Sequence, residues 1–182
     1  MANEHVRPRL APLRPGWPLK TWLILAAMVI PVLGGGVYMA VGAQRQTKSD
    51  AAIARLAAEN AGTSIEVFTG PEHTVYHSVA ALPSSASPRA DGKPTLAWFT
   101  NTNCSRCEEM KFAHTVAAEF RDRLVFVEKA TDRDNAAATL AVTSVPAFVL
   151  LDARGTELVR FGYLADAATL KASIESALAA AK

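Results

Sequence analysis

Residues 95–107, TLAWFTNTNCSRC, decide the fold of this chain. The first six, Thr95 to Thr100, form an uninterrupted, mostly apolar run of strand length, the pattern of a strand buried on both faces. Cys104 and Cys107 follow, and they are the only two cysteines. Beyond them Met110, Ala113, Ala117 and Phe120 recur at spacings of three and four, which predicts a helix from about Cys104 to Phe120 with one apolar face. The dithiol therefore stands where a strand hands over to a helix. Two thiols three residues apart at a first helical turn can close a small disulfide and reopen it. The unpaired N–H groups of the helix start favour the thiolate of the upstream cysteine, and the thiolate is the reacting species.

Working outward, Leu124 to Lys129 (LVFVEK) reads as a second strand, parallel to the first through a right-handed crossover. Asp134 to Ala141 is a short alanine-rich helix and Ala147 to Leu151 (AFVLL) a third strand. The turn at Asp152-Ala153-Arg154-Gly155 leads into Glu157 to Phe161, a hairpin. Leu170, Ile174 and Leu178 line one side of a closing helix over about 166–180. Upstream, Ser64 to Thr69 alternates as a strand, Gly70-Pro71 turns the chain, and Thr74 to Ser78 is a further strand. Pro83 to Pro94 is loop. The class is α/β.

Nineteen Lys and Arg against seventeen Asp and Glu leave a net charge of +2. No basic tract is interleaved with aromatics, so nothing argues for nucleic acid. Two cysteines exclude a multiply disulfide-stapled scaffold. Trp22 to Val41 is twenty residues without a charge. At about 1.5 Å per residue it is long enough to cross a hydrocarbon core of about 30 Å. Trp17, Trp22 and Tyr38 suit the two interfaces. Arg7, Arg9, Arg14 and Lys20 precede the segment and Arg45, Lys48 and Arg55 follow it. That slight bias sets the N-terminus in the cytoplasm and the bulk outside. A cleaved signal peptide and a buried helix are the competing readings. The organisation expected is a disordered tail over 1–20, a transmembrane anchor over 21–43, a juxtamembrane stalk or packing helix over 44–62, and an α/β domain over 63–182.

The apolar strand, the Cys104-Ser105-Arg106-Cys107 motif opening a helix, Ser144-Val145-Pro146 before a strand, and the hairpin at Gly155 before a last helix together resemble the thioredoxin family. The resemblance covers about residues 92–181 and is nearest to membrane-anchored bacterial thiol–disulfide oxidoreductases. It implies a thioredoxin-like fold, a central mixed sheet flanked by helices, here preceded by one transmembrane helix. It further implies an enzyme with no cofactor beyond a redox-active disulfide, Cys104–Cys107. Cys104 attacks a partner disulfide and Cys107 resolves the intermediate. Pro146 corresponds to the family's cis-proline, and Val145 before it offers backbone to the substrate. Arg106, between the thiols, is expected to touch substrate; its charge favours the thiolate, whereas Glu108 and Glu109 act in the other direction if they face the sulfur. The implied partners are protein disulfide substrates outside the cytoplasm, a membrane electron-relay protein as donor, and the lipid bilayer through residues 21–43.

Three positions depart from the family pattern. Trp98 stands where thioredoxins often carry a buried acid, Asn103 replaces the tryptophan before the nucleophile, and Ser105-Arg106 replaces Gly-Pro. Glu128, in the second strand of the motif, is the candidate replacement acid. If it faces Cys107, burial raises its pKa toward a useful range. An edge glutamate facing water is the competing reading.

A metal-delivery module for copper or zinc is the alternative function. The two cysteines have half-site spacing for zinc, and His73 and His77 lie four apart. As an ordinary feature, His73 and His77 read as partly exposed polar positions. His114 lies two turns beyond Cys107, too far to share a metal with it. A non-catalytic membrane tether is the third reading.

Overall fold

The computed structural model describes residues 47–180, so the tail and the apolar segment over 21–43 lie outside the described residues. Residues from Lys48 onward make one compact unit. A helix over 47–61, α1, is the first described element, and its Ala57 and Ala61 are buried. It packs on the domain rather than standing apart. Among the described residues no helix is long and apolar enough to cross a membrane.

Then come strands β1 (Ile65–Thr69), β2 (Thr74–Ser78) and β3 (Thr95–Thr100), helices α2 (Ser105–Glu109) and α3 (Phe112–Glu119), and β4 (Val125–Ala130). The chain closes with α4 (Ala136–Thr139), β5 (Ala147–Leu151), β6 (Glu157–Phe161) and α5 (Ala167–Ala180). The six strands form one mixed sheet in the order β1-β2-β4-β3-β5-β6. β3 is parallel to β4 and antiparallel to β5, while β2 joins β4 in parallel.

Every residue of β3, β4 and β5 is buried, as their apolar runs require of strands covered on both faces. Side chains alternate between the faces. Leu96, Trp98, Phe126, Phe148 and Leu150 join Cys107, Met110, Ala113, Leu170 and Ile174 in one core. Ala97, Phe99, Val127, Val149 and Leu151 join Ala61 and Ala137 in the other. Trp98 stacks on Phe148 at a centroid distance of 5.6 Å and 4° between planes. The dithiol helix thus covers the face that carries Trp98 and, one strand over in register, Glu128.

The helix expected over Cys104–Phe120 is interrupted at Met110 and Lys111. Met110 N, Lys111 N, Ala113 N and His114 N each donate to the carbonyl three residues back, at 2.8–3.3 Å. The chain tightens there into 3₁₀-type geometry, which a pattern of apolar spacings does not register.

The β5–β6 turn depends on Gly155. Its φ is +83°, and a Cβ there would run into the carbonyl of Pro83 and the backbone of Ser84. Gly155→Ala combines left-handed strain with a backbone collision. It is expected to cost at least about 1–3 kcal/mol. The readout is a lower urea midpoint at unchanged slope; an unchanged midpoint refutes it.

Candidate active site

Cys104 caps α2 from an extended conformation (φ −111°, ψ 91°). Cys107, one turn in, points to the core. The two are joined as a disulfide with S–S 1.97 Å. Burial is uneven: Cys104 is 7 % exposed and Cys107 0 %. The upstream sulfur is therefore more covered than an openly exposed nucleophile. Its access is a pocket of about 300 Å³ lined by Asn103, Cys104, Ser105, Arg106 and Val145. Cys107 N–H donates to Cys104 Sγ at 3.1 Å. The same bond favours a sulfur anion when the disulfide opens.

The Val145–Pro146 peptide bond is cis. Pro146 is buried and Val145 half-buried at the pocket rim. Arg106 is exposed, with its guanidinium 5.6 Å from the Tyr163 ring centroid, within cation–π range. The Tyr163 hydroxyl donates to Glu109 at 2.8 Å. This hydrogen bond, more than any other influence, holds the Tyr163 phenol above its ordinary pKa.

The hairpin between β1 and β2 supplies a second wall that the sequence reading missed. Glu72 N–H and His73 N–H both donate to the Thr102 carbonyl, at 3.3 and 3.2 Å. The Glu72 carboxylate accepts from Ser105 N–H at 3.0 Å, at the first turn of α2. Gly70 presses so closely on Thr102 that any side chain there would collide with it. Gly70-Pro71 is legible as a turn, but nothing local says that the turn clamps the loop before the dithiol.

Glu128 is fully buried, not an edge residue facing water. Its Oε1 accepts from Thr100 Oγ1 at 2.7 Å and faces His73 Nε2 at 3.2 Å. Its Oε2 accepts from Tyr76 N–H at 3.1 Å and faces His114 Nε2 at 2.9 Å. Burial pushes the carboxyl's pKa up, but the bonds from His114 and His73 outweigh it and bring the value down to about 2. The expectation of a raised pKa is thus corrected. With donors aimed at both of its oxygens, the ionised carboxylate is the favoured form.

The remaining sequence candidates are placed as follows. His73 and His77 are buried, not partly exposed. Both ring nitrogens of His73 face carboxylates, Glu108 at 2.9 Å and Glu128 at 3.2 Å. His77 Nδ1 accepts from Ala130 N–H at 3.1 Å, substituting for a strand bond between β2 and β4. Burial, and next the Lys129 ammonium, lower the pKa of His77. The two histidines and the dithiol do not converge. Among the described residues no group of three or more His, Cys, Asp or Glu stands as a metal site. His114 joins the Glu128 cluster instead.

The depressed Glu128 pKa has a consequence for stability. Unfolded, the carboxyl returns to about 4.5. Its stabilisation is therefore complete above pH 4.5 and is lost as the pH falls through the folded value near 2. Unfolding free energy is expected to decline steadily across that window, measured by denaturant titration at stepped pH. A flat profile there contradicts the arrangement.

The thioredoxin-like domain family matches residues 86–178, just over half the chain, and the chain belongs to that family. No curated protein matches it. Similar solved structures include a DsbH oxidoreductase, at 24% identity and TM-score 0.43, covering 57% of this chain and 87% of that one. Another is a mutant thioredoxin from Halobacterium salinarum NRC-1, at 27% identity and TM-score 0.43, covering 49% of this chain and 78% of the other. A third is Fasciola hepatica thioredoxin, at 26% identity and TM-score 0.41, covering 47% of this chain and 81% of the other. A thioredoxin-like domain with a closed Cys-x-x-Cys pair supports thiol–disulfide oxidoreductase chemistry in general.

Proposed function

We propose that this chain reduces or exchanges disulfides of extracytoplasmic proteins, held at the membrane by residues 21–43. In the reduced chain the Cys104 thiolate attacks one sulfur of a substrate disulfide. A mixed disulfide forms and the other substrate sulfur leaves as a thiolate. Cys107 then loses its proton and attacks Cys104 Sγ, expelling the second substrate sulfur. The substrate has gained two electrons and the chain is left with the Cys104–Cys107 disulfide. A membrane electron-relay protein returns two electrons from the cytoplasmic side.

Val145 and Pro146 dock the partner's backbone beside the nucleophile, and Arg106 and Tyr163 line its approach. Glu128 serves the site as the ionised centre of its histidine cluster. The observation that carries this reading is the disulfide itself, with one sulfur at the mouth of a pocket beside Val145 and the other sealed.

The test is insulin-disulfide reduction by the full-length chain with dithiothreitol as donor. Turnover above the uncatalysed rate that vanishes in Cys104→Ser supports the reading. A wild-type chain no faster than dithiothreitol alone overturns it and leaves a non-catalytic tether.

A further inference from the structure

The C-terminal end of α4 holds a conformation that its sequence does not favour. Val142 N–H donates to the Ala137 carbonyl at 2.8 Å, and Ala141 N–H donates to the Ala138 carbonyl at 3.1 Å. This pair of bonds is the Schellman closure of a helix, which needs a left-handed residue just past the cap. That residue is Ala141, with φ +51°. Among the described residues it is the one non-glycine with a positive φ. A Cβ makes the left-handed region costly, which is why glycine usually stands there. Backbone held in such a region gathers where function sets the geometry.

Arg160 supplies a restraint on this turn from β6. It stands in register with Val149 of β5, whose core is the one that Ala137 of α4 joins. The last carbonyls of a helix have no partner within it. Arg160 Nη2 donates to the Leu140 carbonyl at 2.6 Å, and Nη1 donates to the Ala141 carbonyl at 3.3 Å. Glu157, on the same strand, accepts from Arg160 Nε at 3.0 Å and from Nη2 at 2.6 Å. A planar fork of fixed donors suits this double task, with one edge on a carboxylate and the other on the turn. The Arg160 and Glu157 side chains are 35% and 37% exposed. An ion pair this open to water contributes little stability. What the pair adds is direction, because it ties the exit of α4 to the sheet.

That exit leads to the dithiol. Val142 packs with Leu140 on the core that includes Ala137. Thr143 and Ser144 are exposed. Val145, four residues after Ala141, packs against both cores and lines the Cys104 pocket. β6 flanks the far end of the same segment too: a Cβ at Gly162 would stand 3.7 Å from the Pro146 carbonyl oxygen.

We propose that Arg160 is a positioning residue for the disulfide exchange. By holding Ala141 in its left-handed turn it sets the path of the 142–145 segment, and so the place where Val145 meets a partner beside Cys104. This rests on the oxidoreductase reading above. Arg160 acts through the segment and not on the sulfur, and it takes no part in the electron or proton balance of the exchange.

The test compares two reactions of the reduced full-length chain, both in a Cys107→Ser background. One is mixed-disulfide formation with a disulfide-linked peptide, followed by intact mass. The other is alkylation of Cys104 by iodoacetamide, which needs no docked partner. In Arg160→Gln the first rate should fall by about 5–50-fold, within the roughly hundredfold that a 1 Å misplacement costs. The second should stay within about twofold, since docking is no part of it. Glu157→Gln leaves Arg160 present but loosened. It should give a smaller fall in the first rate alone, and it carries the test if Arg160→Gln does not fold. Ala141→Gly gives the readout specific to the turn. Glycine adopts the left-handed conformation without the Cβ penalty. With glycine at 141 the Arg160→Gln loss should therefore shrink to less than about threefold, a non-additivity expected only of coupled sites. Peptide coupling at the parent rate in Arg160→Gln overturns the proposal. So does an equal fall in both reactions, or a loss of the same size with alanine and with glycine at 141. Those results leave the oxidoreductase reading standing, since that falls only if the wild-type chain shows no turnover.

Discussion

Cys107→Ser is expected to stop multiple turnover while leaving the first attack intact, so that the chain accumulates as a covalent adduct of its substrate. The argument is the uneven burial of the two sulfurs. Cys104, at the pocket mouth, is the one a partner's disulfide can reach, whereas Cys107 is sealed and can reach only Cys104. With a serine at 107 the mixed disulfide has no internal attacker and persists until an outside thiol cleaves it. Intact-mass measurement after mixing the reduced variant with a disulfide peptide should show one peptide per chain. Cys104→Ser under the same conditions should show none. Equal trapping by both variants would mean that either sulfur can meet the substrate, and the division of roles would be wrong.

Legibility in the sequence tracks how local each feature is. β3 and β5 are plain because a strand buried on both faces must be apolar throughout, and TLAWFT and AFVLL are nearly so. The hairpin at Gly155 is plain because Asp152 and Gly155 are turn chemistry, and the Asp152 carboxylate indeed accepts from Arg154 and Thr156 N–H. The dithiol is plain because its strand and helix flank it directly. The break at Met110 is not, because apolar spacings of three and four fit α and 3₁₀ turns alike. The Glu128 cluster is half legible. An acid in a buried strand marks a site, but its partners lie 55 residues upstream at His73 and 14 upstream at His114. Nothing in the spacing announces that they meet.

That long-range meeting also explains the wrong direction assigned to Glu128. Burial alone raises a carboxyl pKa, and the sequence could supply only burial. The structure adds Thr100, the Tyr76 amide and two imidazoles, all aimed at the two carboxylate oxygens. Once every lone-pair direction is met by a donor the ionised form prevails. Trp98 is in register with Glu128 one strand over, and its indole packs against the cluster from the β3 side, with ring centroids 5.8 Å from His73 and 5.5 Å from His114.

Glu128→Leu is accordingly expected to be the most destabilising single change in the domain. It removes the one anion that His114 faces and one of the two that hold His73, leaving buried polar nitrogens without acceptors. Breaking a buried pair from one side typically costs about 3–5 kcal/mol, because the stranded group keeps its desolvation penalty and loses its compensation. Thr100 Oγ1 and the Tyr76 N–H are orphaned in the same step, which adds to the loss. In a domain of this size the melting temperature should fall by about 10 °C or more. Glu128→Gln keeps an acceptor for Thr100 and should lose less. The pH dependence gives a sharper criterion than the size of the loss. The wild-type decline between pH 4.5 and about 2 comes from protonating this carboxylate, so in Glu128→Leu that part of the slope should disappear. A Leu variant within about 1 kcal/mol of wild type, or one retaining the full acid slope, would show that Glu128 does not hold a buried charge in this cluster.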